Sequence, residues 1–492
     1  MDWLQAPGYW LARLVFERAL AGVYVIAFLV AADQFRPLLG ERGLLPTPRF
    51  LAAVSFRQAP SLFHLHYSDR FLAVVAWSGA GLAALCAVGI PQAGPWWASM
   101  AAWAVLWGLY LSIVNVGQRF YGFGWESLLL EAGFLAVFLG PADWAPPTLL
   151  IVALRWLLFR LELGAGIIKM RGDRCWRDLT CLHYHHETQP LPNPLSWWFH
   201  HLPGWFHRVE VAANHVAQLV APLGLLAPQP VAGAAGAVIV ATQGWLLLSG
   251  NFSWLNVVTI ALAAAAFDDA MLDGLVPADA PTLAAPPGWH QGLVVAVALL
   301  VAVLSRRPVR NMASPGQIMN SSFDPLHLVN TYGAFGTVTK RRFEVVVEGT
   351  DAPDPGPGAV WKEYQLKAKP GDPMRRPRQV APYHLRLDWM MWFVALPGRR
   401  FDHRWVTTLL AGLLENDAPT LRLLATNPFP DAPPTYVRAR LYHYRFTTPA
   451  ERRATGAWWV RTPAGELRPP MRRRPQAVPH PSPPGPEHRS GR

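Results

Sequence analysis

Nine predominantly apolar runs punctuate the first 305 residues, near 11–32, 71–90, 96–116, 125–141, 148–170, 208–227, 230–250, 254–267 and 290–305. A bilayer core needs about 20 such residues per helix. The repetition predicts an α-helical polytopic membrane domain of about seven to nine spans. The runs at 125–141 and 254–267 are short enough to be re-entrant or steeply embedded. Charge content agrees: only 15% of the 492 residues are Asp, Glu, Lys or Arg, against about 25% in a soluble chain. That composition excludes disordered and collagen-like classes, and three cysteines exclude a disulfide-framework fold. The first run carries Glu17 and Arg18 and lacks a basic leader or small-residue cleavage site, so it does not read as a signal peptide.

Loop charge gives an orientation. Arg36, Arg42, Arg49, Arg57 and Arg70 follow the first run, Arg171, Arg174 and Arg177 the fifth, and Arg306, Arg307 and Arg310 the ninth. The connections 91–95, 142–147 and 268–289 carry no Lys or Arg. The positive-inside rule therefore places the basic side in the cytoplasm. The excess of Arg over Lys reads as the coding bias of a GC-rich bacterial genome, and the expected location is the bacterial inner membrane.

Beyond residue 310 the composition changes, and 311–461 reads as a mostly β soluble domain. Phe343–Glu348, Trp361–Lys367 and Tyr436–Phe446 have strand-like patterns, and Asp351–Gly358 is a Pro/Gly turn. Residues 383–396 and 404–415 look helical. The run Trp389-Met390-Met391-Trp392-Phe393 is expected to pack against the sheet, with a membrane-surface role as the alternative. The Pro/Arg-rich tail 462–492 is expected to be disordered. Its basic residues suit anionic lipid, and no nucleic-acid partner is expected.

Ionisable groups inside spans cost about 2.5–3.5 kcal/mol each on insertion scales, so each needs a reason. Arg155, Glu162 and Lys169 recur at seven-residue intervals and share a helix face, with Gly166 allowing close approach. Arg160 adds a further cation. Glu126 and Glu131 of the fourth run are expected to neutralise the spare cations. An interhelical lock and a polar reaction or recognition site are both compatible with the pattern.

Seven of the 16 histidines lie between 183 and 215, most of them within a His-rich loop at 171–207. His183, His185, His186 and Glu187 could ligate a metal, although their spacing matches no strong signature and a strand would aim only some of them inward. Cys175 or Cys181 beside a histidine could serve as a nucleophile. A structural network of His, Trp and carboxylate shaping a binding surface is the preferred reading.

Long motifs here resemble the lipase maturation factor family. They include Gln118–Phe134 with Glu126 and Glu131, Lys169–Trp176 with Asp173, Asp178-Leu179-Thr180, His183–Pro190 with Tyr184, Glu187 and Gln189, and Pro192–Trp197. Val209–His215 with Glu210, Asn214 and His215 belongs with them, as do Leu328–Gly336 with Asn330, Tyr332 and Gly333, Trp361–Tyr364 and Pro382–Trp389. The resemblance implies that these residues form an interaction or structural network. It also implies a membrane-embedded folding and assembly factor for secreted lipase-like proteins, with membrane lipid and a client as partners. Animal members are multi-pass endoplasmic-reticulum proteins and are regarded as chaperones, not enzymes. Their C-terminal domain is lumenal, which sets the family picture against the arginine count and tips the orientation of 311–461 towards the non-cytoplasmic side.

Ala165-Gly166-Ile167-Ile168-Lys169 and Trp176 also resemble a short segment of the vitamin K-dependent γ-carboxylase. That likeness implies the alternative of a membrane enzyme with Lys169 as base on a lipophilic cofactor or substrate, assisted by Glu162, Arg155 or the His-rich loop. No cofactor is otherwise expected.

Overall fold

The computed structural model describes residues 4–396 and 404–472. Among them, five helical segments are long and apolar enough to cross a membrane: Pro7–Leu39, Asp69–Val88, Trp96–Val116, Val231–Ser249 and Gly288–Ala313. Within these lie α1 (Trp10–Leu39), α2 (Asp69–Val88) and α3 (Trp96–Val116). Ser68 caps α2 by accepting from the Phe71 amide, and Gly89 ends it in the left-handed region at φ 89°, a conformation cheap only for glycine. The large apolar side chains these helices leave exposed, such as Val74, Trp77 and Val105, face outward. An unpartnered apolar rim of this kind suits lipid.

Of the nine predicted runs, five are helices long and apolar enough to cross a membrane among the described residues, and the other four do not meet that measure. The run at 125–141 is α4 (Gly124–Ala136), almost wholly buried. The run at 148–170 is α5 (Thr148–Arg171), long enough but too rich in charge. Residues 208–227 are divided between helical pieces, with a π-helical turn at Val216–Val220. Residues 254–267 form a nine-residue helix and a 3-10 turn. The runs at 125–141 and 254–267 are largely buried within the bundle, where neighbouring helices satisfy polar groups that lipid would reject, whereas 208–227 leaves Val209, Val216, Val220 and Leu223 exposed.

The predicted His-rich loop is mostly helical. It contains α6 (Leu182–Thr188) and leads into α7 (Gly204–His215), beyond which α8 (Val231–Ser249), α9 (Leu255–Ala263) and α10 (Gly288–Leu304) complete the bundle. Helical rather than strand geometry regroups the histidines, because residues three and four apart then share a face.

The C-terminal part contains strands β1 (Ser321–Ser322), β2 (Asn330–Thr331), β3 (Arg342–Thr350), β4 (Lys362–Leu366), β5 (Leu424–Thr426), β6 (Tyr436–Phe446) and β7 (Trp459–Arg472). The first two pair with each other; the rest form an antiparallel sheet in the order β5-β4-β3-β6-β7. β3 and β6 run in continuous register from Arg342↔Tyr444 to Thr350↔Tyr436. One face of the sheet contributes Val345, Val347 and Ala439 to the main core, beside α11 (Arg386–Val394) and α12 (Arg404–Leu414). The other face packs Val346, Tyr442, Tyr444 and Trp459 against Trp197 of the His-rich segment.

The tail prediction is corrected over 462–472, which is strand. β7 pairs with β6 from Phe446↔Trp459 to Tyr436↔Arg472, with three register shifts along the way. Pro463, Pro469 and Pro470 are tolerated because β7 is an edge strand and irregular. Residues 473–492 lie outside the described residues.

Candidate functional site

A cavity of about 1780 Å³ lies where the helical bundle meets the C-terminal domain. Its lining combines a polar wall of Glu162, Lys169, Asn214, Gln218, Gln243 and Asn256 with the aromatic side chains Trp125, Phe252, Trp389 and Trp392.

α5 supplies Glu162 and Lys169 to the polar wall, and neighbouring helices supply the four amides. The predicted face is real, but its residues do not meet one another. Arg155 donates from Nε to the Ala265 carbonyl at 2.7 Å and from Nη2 to the Tyr9 hydroxyl at 2.8 Å. Glu162 accepts from Gln243 Nε2 at 2.7 Å, and Asn256 donates in turn to Gln243 Oε1. Lys169 donates to Gln218 Oε1 at 2.6 Å and Asn214 Oδ1 at 3.1 Å, with Nζ 5.0 Å from the Trp176 ring centroid. Gly166 permits this packing, since a Cβ there would press on Leu219 and the Gln218 carbonyl.

Glu126 and Glu131 depart from the expectation that both neutralise cations of α5. Glu131 does pair with Arg160, and also accepts from the Asn330 backbone amide and Nδ2, each at 3.0 Å, and from the Tyr332 hydroxyl at 2.7 Å. Glu126 is met instead by Arg386, at 2.7 Å from α11, together with the Tyr110 hydroxyl. Arg386 also donates to the Phe120 carbonyl. The Trp389–Phe393 run is core, as preferred. Trp389 packs edge-on against Trp125 at 4.9 Å, so the run covers the bundle as well as the sheet.

The His-rich segment joins the two parts of the molecule. Glu187 accepts from the Phe446 amide at 2.7 Å, and Gln189 Nε2 donates to Ser196 Oγ and the Ser249 carbonyl. Arg342 of β3 donates to the carbonyls of Glu187, Gln189 and Pro190. Burial raises the Glu187 carboxyl above the ordinary range, although the Phe446 amide opposes it. Burial likewise pushes the His185 and His200 imidazoles down to about 3, so both are neutral.

The anticipated ligand set 183/185/186/187 does not converge. His185 lies against Phe335 and Phe252, Glu187 turns to Phe446, and His183 is exposed. His186 instead meets His207 and Glu210 of α7, and their donor atoms all lie within 4.8 Å of one another. The spacing of His207 and Glu210, three apart on one helix, was a legible signal; their meeting with His186 was not.

Cys175 and Cys181 form a disulfide, which leaves neither thiol available as a nucleophile. Around it, Asp173 accepts from the Val338 amide, Trp176 Nε1 donates to the Phe335 carbonyl, and His215 Nε2 lies 3.0 Å from the Trp176 carbonyl. Asp178 pairs with Arg174 at the surface, while Tyr184 packs beside the disulfide cluster. The Gly333 amide donates to Asn320. Gly172 is required by close approach, because a Cβ there would collide with the Gly336 carbonyl. The 171–177 turn and the 328–336 motif are thus one contact surface.

Two family models match the sequence: a lipase maturation factor transmembrane domain over residues 11–274 and a lipase maturation factor C-terminal domain over 328–469. Lipase maturation factor 1 of Bos taurus is 45% identical over 96% of this chain and 90% of its own length. The Homo sapiens protein of that name is 43% identical over 95% and 89%, and human lipase maturation factor 2 is 29% identical over 92% and 81%. No solved structure matches. The relatives lend no support to the enzyme reading of Lys169.

Proposed function

The chain belongs to the lipase maturation factor family, and from that premise we propose that it is a membrane-embedded factor for folding and assembling secreted lipase-like proteins, not a catalyst. The observation that carries this reading is likeness at 43–45% identity to proteins named for lipase maturation over nearly the whole chain. The client meets the C-terminal domain, which faces the non-cytoplasmic side of a bacterial inner membrane. The Cys175–Cys181 disulfide supports that side, since such bonds persist in oxidising compartments. Asp173, two residues before Cys175, accepts from the Val338 amide and so ties the disulfide turn to the chain leading into the sheet. The arginines that argue for the cytoplasm include Arg171, whose guanidinium is occupied by the Met312 carbonyl and Gln317. It has a structural reason to be there.

Deleting the gene should lower the active yield of a secreted lipase while its transcript is unchanged. Undiminished lipase activity across the secretome would refute the reading. A periplasm-specific reporter fused after residue 472 should be active; activity of a cytoplasm-specific reporter there would reverse the orientation.

A further inference from the structure

We propose that His186, His207 and Glu210 form a zinc site whose remaining coordination position opens on the cavity. His207 and Glu210 lie one turn apart on α7, which brings their side chains together: His207 Nδ1 is 3.0 Å from Glu210 Oε2. His186 enters from α6, with Nε2 at 3.9 Å from the same oxygen. His186 and His207 are buried, at 3% and 2% relative exposure, and the Glu210 side chain is nearly covered, at 6%.

The decisive feature is His186 Nε2, which is buried and has no hydrogen-bond partner. At 3.9 Å the carboxylate is too distant for a hydrogen bond, and leaving a buried polar atom unmet costs about 1–3 kcal/mol. An ion between the three groups removes that cost. Tetrahedral zinc holds nitrogen and oxygen ligands at about 2.0–2.2 Å, so the ligand atoms need only draw together slightly.

Glu210 is already oriented for the task. Its other oxygen, Oε1, accepts from Trp245 Nε1 of α8 at 2.8 Å, the kind of outer contact that fixes a ligating carboxylate. Two imidazoles and one carboxylate suit zinc and disfavour Ca²⁺ and Mg²⁺, which require oxygen donors. His186, Glu210 and Trp245 all line the cavity, so the open position can take water or an oxygen donor of an incoming molecule. The ion would tie α6, α7 and α8 together at the cavity wall.

The test uses full-length protein in detergent, stripped with a chelator and titrated with Zn²⁺ alone. Metal retained after desalting is measured by mass spectrometry. Wild-type protein should hold one equivalent. His186→Ala and Glu210→Gln should each lose it, and Trp245→Phe should bind about 10–100-fold more weakly. Retention of no zinc by wild-type protein, or undiminished binding in both ligand variants, overturns the proposal. Should the ligand variants fail to fold, Co²⁺ bound to wild-type protein decides: the absorption of a four-coordinate nitrogen/oxygen site supports the assignment. A weak octahedral spectrum, or none, overturns it.

Discussion

Two sets of buried charge in this molecule are handled in opposite ways. Glu126, Glu131 and Glu344 are each met by a cation: Arg386, Arg160, and Arg342 with Lys369. Glu162 and Lys169, two turns apart on α5, are met mainly by neutral amides. An ion pair in a dry interior fixes two elements together and leaves neither partner free. Amides can rearrange around a charge at little expense. The first group therefore reads as framework, the second as the adaptable lining of a cavity.

The largest expected effect follows from removing a framework partner. Arg386→Ala leaves Glu126 buried with the Tyr110 hydroxyl but without its arginine at the junction of bundle and sheet domain, and should cost about 3–5 kcal/mol. Thermal unfolding followed by size-exclusion chromatography would record it; an unchanged midpoint would place Glu126 among the adaptable charges.

The second effect is pH-dependent. Burial pushes the Lys369 amine down to about 8, against the favourable field of Glu344. Between pH 8 and 10.5 the unfolded chain holds this proton and the folded chain has released it, so stability rises with pH across that window. A gain of roughly 2–3 kcal/mol by pH 10 is expected, read as a rising denaturation midpoint. Lys369→Met should flatten the rise, and identical profiles would remove Lys369 as its source.

Smaller effects are expected in the cavity. Lys169→Met strands Gln218 Oε1 and Asn214 Oδ1, yet the cavity can hydrate them, so a loss of about 1–2 kcal/mol is expected in the same unfolding assay. Glu162→Gln should cost less than about 1 kcal/mol, because Gln243 can turn its amide to suit. If Glu162→Gln destabilised as much as Arg386→Ala, the distinction between framework and lining would collapse.

Local pattern made much of this architecture readable. The alternation at Tyr436–Phe446 matches β6 residue for residue, and the seven-residue spacing on α5 does mark one helix face. What local pattern cannot supply is the identity of distant partners. Glu126 finds Arg386 across 260 residues, and no periodicity relates them. Apolar runs interrupted by charges satisfied inside the bundle, as on α5, are the ones that do not form long apolar helices. The histidines regroup because the chain makes α6 where the composition suggested a loop. The arginines of β7 suggested an unstructured tail because their composition resembles one, while pairing with β6 overrides it.

The edges of the sheet have a consequence for the proposed role in lipase maturation. A partly folded lipase chain presents unpaired strands, and any long, regular edge nearby would invite it to add on by backbone hydrogen bonding. Here one edge is β5, only three residues long, and the other is β7, broken by register shifts and carrying Pro463, Pro469 and Pro470. Neither can template an added strand for long. Contacts made by this domain therefore fall to its side chains rather than to backbone pairing with an added strand.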